Sequence, residues 1–174
     1  MTAETPNDMP EDLPENAPED ARFEDGAERP LRLRAESADD LAVLSALVQD
    51  AVAATSEIAW AKRHRRFAVL LNRFRWEDAP AAERQRRPFE RVQAMLAVEG
   101  VLAARTAGID PADRDLVLEL LAVVFEPGED GAGTVRLVVA GDGEIALDVE
   151  CLDVTLTDVT RPYAARTKPA HPLG

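Results

Sequence analysis

The residues most suited to chemistry crowd into one short stretch of this chain. Lys62, Arg63, His64, Arg65, Arg66, Arg73 and Arg75 fall within fourteen positions, with Trp60, Phe74 and Trp76 beside them. A guanidinium forks onto a carboxylate or phosphate, and a neighbouring aromatic ring stacks a base or another guanidinium, so the group suits an anionic ligand. The plainer reading is a solvated hairpin tip with its aromatics in the core, because charge at strand ends commonly serves solubility and edge protection. The candidate binding residues are Trp60, Arg63, His64, Arg66, Arg73, Arg75 and Trp76; none is a candidate catalytic residue.

Elsewhere the sequence is poor in reactive groups. From Ile58 to Val159 it holds one histidine, one cysteine and no serine, whereas acid/base, nucleophilic and metal chemistry draw mainly on His, Cys, Ser and clustered carboxylates. His64 has no hydroxyl or thiol beside it in sequence to activate. Cys151 shares strand parity with Ile145, Leu147 and Val149, which predicts a buried, inert thiol. Asp110, Asp113 and Asp115, and Glu129 with Asp130, sit beside turn residues and lack calcium-loop spacing, so turn chemistry accounts for them. Gly128, Gly131 and Gly133 precede a strand-like run with no Lys-Ser or Lys-Thr, unlike a phosphate loop. The sequence implies no cofactor and no metal.

Of the 174 residues, 46% are hydrophobic, and the net charge is −13. That charge is arranged in blocks. Residues 1–30 carry ten acids and two arginines, residues 60–91 carry ten Lys or Arg against four acids, and residues 108–160 carry thirteen acids against Arg114 and Arg136. Overall acidity argues against nucleic acid as a partner. No apolar run is long enough for a bilayer helix, the N-terminus lacks a basic start and apolar stretch, and the lone cysteine forms no internal disulfide; these features predict a cytoplasmic protein with no membrane contact.

The elements that must position these residues follow from periodicity. Pro6, Pro10, Pro14 and Pro18 recur among Glu, Asp and Asn, predicting a disordered acidic tail over residues 1–30, with a loose fold-back of this tail onto the basic stretch as one option. Leu31 to Ala35 alternates as a half-buried strand. Ser37 then supplies a helix cap, with Asp39 and Asp40 in the first turn, and Leu41, Leu44, Leu47, Val48, Ala51 and Val52 form one stripe that carries the helix to about Ala54. Ile58–Ala61 and Phe67–Leu71 predict a hairpin with a four-residue tip, Trp60 lying opposite Phe67 and Ala61 opposite Arg66. Glu77–Arg87 reads as a polar linker. Val92 to Val98 alternates, Gly100 marks a bulge, and Val101–Ala107 extends the strand. Leu116–Phe125, apolar on both faces except for Glu119, predicts the most buried central strand. A Gly141–Asp142–Gly143 loop pairs Val139 with Ile145, Leu137 with Leu147 and Val135 with Val149, keeping every apolar residue on one face. A parity shift beyond Cys151 predicts a bend before Leu152, Val154 and Leu156, and Arg161–Pro162 ends regular structure.

The predicted fold is α+β, with one N-terminal amphipathic helix packed on a curved, mostly antiparallel sheet or partly closed β-barrel of about seven strands. Adjacent strands pair in sequence order. The domain spans residues 31–163, followed by a flexible tail over 164–174 that includes His171.

Three separated segments match a known family in order. They are the run Arg66-Phe67-Ala68-Val69-Leu70-Leu71-Asn72-Arg73-Phe74-Arg75-Trp76-Glu77, the run Glu126-Pro127-Gly128-Glu129-Asp130-Gly131, and Thr160-Arg161-Pro162-Tyr163. Over roughly residues 31–163 the chain resembles the alphaproteobacterial proteins grouped as domain of unknown function 2948. The resemblance implies a bacterial cytosolic protein with no assigned activity and no catalytic or binding residues to carry over. The functional expectation is a non-catalytic interaction module that binds a protein or a small anion through the Arg-rich strand end. The alternative is a hydrolase built from carboxylates and arginines, with or without a divalent metal.

Overall fold

A computed structural model describes residues 29–170. Most of the acidic Pro-rich segment, and residues 171–174 with His171, lie outside the described residues. Strand β1 (Arg32–Ala35) leads into helix α1 (Ala38–Leu47), followed by β2 (Val52–Ala54), β3 (Ile58–Ala61) and β4 (Arg66–Phe74). Helix α2 (Ala79–Gln85) precedes β5 (Glu90–Glu99), β6 (Val101–Ala107), β7 (Val117–Pro127), β8 (Gly133–Val139), β9 (Gly143–Val149), β10 (Val154–Asp158) and β11 (Tyr163–Ala164). The sheet is antiparallel throughout and not closed, and its strands run β1-β10-β5-β4-β2-β7-β8-β9-β6, with β3 on β4 and β11 on β5.

This order departs from pairing by sequence neighbours, and the reason is two bends. β5 and β6 are successive parts of one extended run that turns at Gly100, whose φ is +69°, so β5 pairs with β4 and β10 while β6 pairs with β9. β9 and β10 make the matching turn across residues 150–153. Each bent run therefore contributes to both halves of the sheet, and the inward rows of the two halves meet in one core.

Local chemistry explains the first elements. Ser37 Oγ accepts from Asp40 N at 3.2 Å and caps α1, with Asp39 and Asp40 in its first turn. The helix stops at Leu47, well before Ala54. Asp50 adopts a left-handed φ of 64°, and the chain then pairs with β7 through Asp50 N to Leu120 O and Leu120 N to Ala51 O, both 2.7 Å. Sheet pairing overrides the helical stripe there, as tertiary context does for short β-branched segments. Nor is α1 sharply two-sided, since Leu41 and Leu44 are buried while Val43 is 58% exposed. A second helix, α2, replaces the expected linker; Pro80 in its first turn and the Ala-rich run after Asp78 are its sequence signal.

Several registers and burials also differ from expectation. The β3–β4 hairpin pairs Trp60 with Phe67 and Ala61 with Arg66, as the sequence predicts. The β8–β9 hairpin keeps the expected facing but slides by two residues, pairing Leu137 with Ile145 and Val135 with Leu147. Gly141 and Asp142 take the left-handed conformations, and Gly143 is a strand residue. A side chain at Gly143 would come within 2.8 Å of Val139 and 3.0 Å of Ile109, so close packing demands glycine there. β7 is not the most buried strand: a register break between Leu120 and Ala122 leaves Val117, Leu121 and Val124 exposed. β9 is more deeply buried, with five of its seven residues in the interior, and the inward row of β5, Val92, Ala94, Leu96 and Val98, is fully buried between β4 and β10. Regular structure resumes past Arg161–Pro162, where β11 pairs with Arg91 and Glu90.

Cys151 is exposed rather than buried. The bend begins one residue earlier than the parity argument placed it, so Glu150 and Cys151 both face outward and Leu152 turns in. Native protein should accordingly react with an aromatic disulfide reagent at a rate close to that of the urea-unfolded chain. A native rate slower by more than about a hundredfold would place the thiol inside.

Candidate functional site

The structure does not bring the seven candidate residues together. Arg66 opens β4 and Arg75 lies past its end, and nine residues of strand span roughly 30 Å, so the cationic group is divided between the two ends of β4.

At the far end the arginines are committed to acids. Arg73 continues the inward row of Phe67, Val69 and Leu71 and has no exposed surface. Its Nε and Nη2 donate to the Asp158 carboxylate at 3.1 and 3.0 Å, and its Nη1 and Nη2 donate to Glu77 at 2.9 and 2.8 Å. Nη1 also donates to Phe74 O at 3.4 Å, so all five N–H groups are met. Burial disfavours the Arg73 charge, yet the hydrogen bonds and charges of Glu77 and Asp158 outweigh it and raise its pKa. Burial likewise pushes Glu77 upward, and Arg73 overcomes it and holds Glu77 below its ordinary value. Arg75 donates to Glu90 and lies 3.7 Å from Glu77 and 3.9 Å from Asp78. Trp76 donates from Nε1 to Gln49 O at 3.0 Å and packs edge-on against Phe74. The N–H groups of Arg73 and Trp76 are thus met within the fold, and Arg75 is tied to Glu90.

The near end is open. Lys62, Arg63 and His64 form an exposed single turn of 3₁₀ helix between β3 and β4, closed by Arg65 in a left-handed conformation. Arg65 pairs with Glu150 and Arg66 with Glu99, while Lys62, Arg63 and His64 make no ion pair among the described residues. Trp60, half-buried opposite Phe67, is the candidate that borders a hollow.

That hollow is a cleft of about 310 Å³ between β3 and β6, at the lower end of small-ligand sites. Ile58, Trp60, Phe67 and Ile145 form its apolar body; Ala104 and Thr106 of β6 flank it; Ile109, Pro111 and Arg114 come from the segment after β6. A void of about 20 Å³ shares Ile58 and Ile145 with it and reaches further into the core. The 108–116 segment is held by Thr55, whose Oγ1 donates to Asp113 O at 2.5 Å and whose N donates to Leu116 O at 2.9 Å. Asp110 and Asp113 each accept from the backbone N–H two residues on, so these acids build the turn that the sequence suggested. Arg114 donates to Ser56 O at 3.3 Å and makes no ion pair among the described residues.

The cleft lining holds one ionisable group, Arg114, and no carboxylate, histidine or thiol. It can desolvate an apolar body and offer a guanidinium to a negative group, but it has no general acid or base to move a proton. Arg114 was visible in the sequence as one of two cations in the acidic 108–160 block. Its counterpart Arg136 is held by Glu126 at 3.1 Å and Glu144 at 2.8 Å, and only the fold separates the two roles.

Fold and site together describe an open antiparallel α+β module with an apolar cleft between β3 and β6. The chain belongs to the family described as protein of unknown function DUF2948, whose model matches residues 31–171. No curated protein and no solved structure matches it. Among the described residues, no three His, Cys, Asp or Glu side chains gather as a metal set, and no helix is long and apolar enough to cross a membrane.

The division of the cationic group has a measurable counterpart. Arg66→Gln should change unfolding free energy by less than about 0.5 kcal/mol, whereas Asp158→Asn should cost about 3 kcal/mol or more by leaving a buried guanidinium underpaired; urea titration reads both. Because Glu77 is held below its ordinary value of 4.5, its contribution is complete above that pH and is lost as pH falls through the lower folded-state value. The urea midpoint should drop on acidification, and Glu77→Gln should flatten that slope without abolishing it, since Asp78 and Asp148 are lowered as well, chiefly by hydrogen bonds from Arg87 and Arg105.

Proposed function

We propose that this chain is a non-catalytic interaction module whose binding element is the cleft between β3 and β6, and that it takes an apolar group flanked by negative charge. The observation that carries this reading is Arg114, an arginine outside any ion pair among the described residues at the rim of an otherwise apolar hollow. A guanidinium in that setting gains more from an incoming anion than one already forked onto a carboxylate. Trp60 supplies a rigid aromatic wall, and Lys62 and Arg63 add positive charge on the turn that follows it. Arg73 and Trp76 drop out of the binding group, because their N–H groups are met within the fold, and Arg66 and Arg75, paired with Glu99 and Glu90, lie outside the cleft lining. The hydrolase alternative needs carboxylates drawn together in a hollow, and the cleft lining supports no such arrangement.

Anilinonaphthalene sulfonate, an aromatic body with one anionic group, is a suitable probe. It should shift the Trp60 indole N–H signal in a ¹H–¹⁵N spectrum and leave that of Trp76 in place. Arg114→Gln should weaken it about tenfold, the scale of a lost charge-assisted hydrogen bond. Shifts confined to Trp76, or equal affinity in the Arg114 variant, would remove the cleft from consideration.

A further inference from the structure

The β6 wall of the cleft is an open strand edge. β6 is hydrogen-bonded as a ladder to β9 alone, and β3 to β4 alone. The inward row of the β6 half-sheet shows what is missing. Leu147 and Val135 are fully buried, whereas Ala104, paired with Leu147 in that same row, is exposed. Leu102, displaced at the register break between Val101 and Ala103, is 49% exposed. Natural proteins usually shield such edges with charge, proline or a covering element, yet Val101–Ala107 contains no proline and only one charged residue, Arg105, which pairs with Asp148.

Resting on the reading of the cleft given above, we infer that its occupant is an extended segment of a partner protein, added as a strand to the open edge of β6. Alternate apolar side chains of that segment drop between Trp60, Phe67 and Ile145, and its acidic flank meets Arg114 and the Lys62–His64 turn. Main-chain chemistry selects the occupant: only a polypeptide presents N–H and C=O groups at the spacing an open strand edge requires, with side chains alternating into a pocket. Charge selects its composition, because Lys62, Arg63 and Arg114 make no ion pair among the described residues. The same charges disfavour a second copy of this chain pairing symmetrically at that edge, since both copies would bring their cations together.

The test uses the full-length protein and ten-residue synthetic peptides that alternate valine, isoleucine or leucine with threonine and carry two glutamates at one end. At least one such peptide should bind and slow hydrogen exchange of the β6 amides not bonded to β9 by about tenfold or more. N-methylation at alternate main-chain nitrogens should then weaken it about tenfold, and the double variant Lys62→Gln, Arg63→Gln should lessen the salt dependence of binding. Failure of every peptide, binding that leaves the β6 amides unchanged, or equal affinity of the N-methylated form overturns strand addition. The sulfonate probe separates the two readings: if it still shifts Trp60 while the peptides fail, strand addition alone falls, and if both fail, the cleft reading falls with it.

Discussion

A guanidinium sealed from water must have its charge matched and its five N–H groups met, and meeting that demand at Arg73 organises one whole end of the molecule. Two carboxylates clamp it from different directions. Glu77 reaches back from just past β4, and Asp158 comes from the end of β10, across the intervening strand β5. Asp158 also accepts from Leu31 N and donates its own N–H to Leu31 O, so the chain enters the sheet at β1 where the clamp is made. Replacing such an ion pair by apolar groups is often neutral or better for stability. What the clamp supplies here is position: it holds the ends of β4 and β10 and the entry to β1 at one point.

The opposite end of β4 has no such closure. There the strand begins at a cationic turn, and the inward row it faces runs out at Ala104 without a covering strand. One strand thus has a locked end and an open end, and the contrast is chemical. Arginines at the locked end spend their donors on carboxylates, while Lys62, Arg63 and Arg114 near the open end keep theirs outside ion pairs among the described residues. The turn built by Thr55, Asp110 and Asp113 holds Arg114 at the rim, so these acids shape a loop as the turn chemistry of the sequence implied.

What could be read from the sequence was local. The Ser37 cap and the Trp60–Phe67 register depend on neighbours a few residues away, and each stands in the structure as the spacing implied, whereas the bulge expected at Gly100 is a turn that sends β6 to a different partner. The misreadings needed distant partners. Nothing near Arg73 reveals Asp158, eighty-five positions on, so an arginine buried for structure looked like a binding arginine. Cys151 turned outward because a bend shifted by a single residue, and with a side-chain period of two such a shift reverses the face. The β8–β9 hairpin kept its face under a slide of two for the same reason. The order of strands escaped sequence reading because β5–β6 and β9–β10, each legible as one bent run, change partners at the bend and cross between half-sheets.

The pairing of β1 with β10 also constrains how the molecule is made. The hydrogen bond from Leu31 to Asp158 joins positions 127 apart, so β1 leaves the ribosome long before the strand it pairs with. At 5 to 20 residues per second the delay is on the order of ten seconds. Once β5 has been made, its row of Val92 to Val98 lacks the neighbour that covers its β10 side until β10 follows about sixty residues later. The nascent chain therefore carries an adhesive surface from the emergence of β5 until that of β10, and the final sheet assembles only after the β10 segment is free to close it.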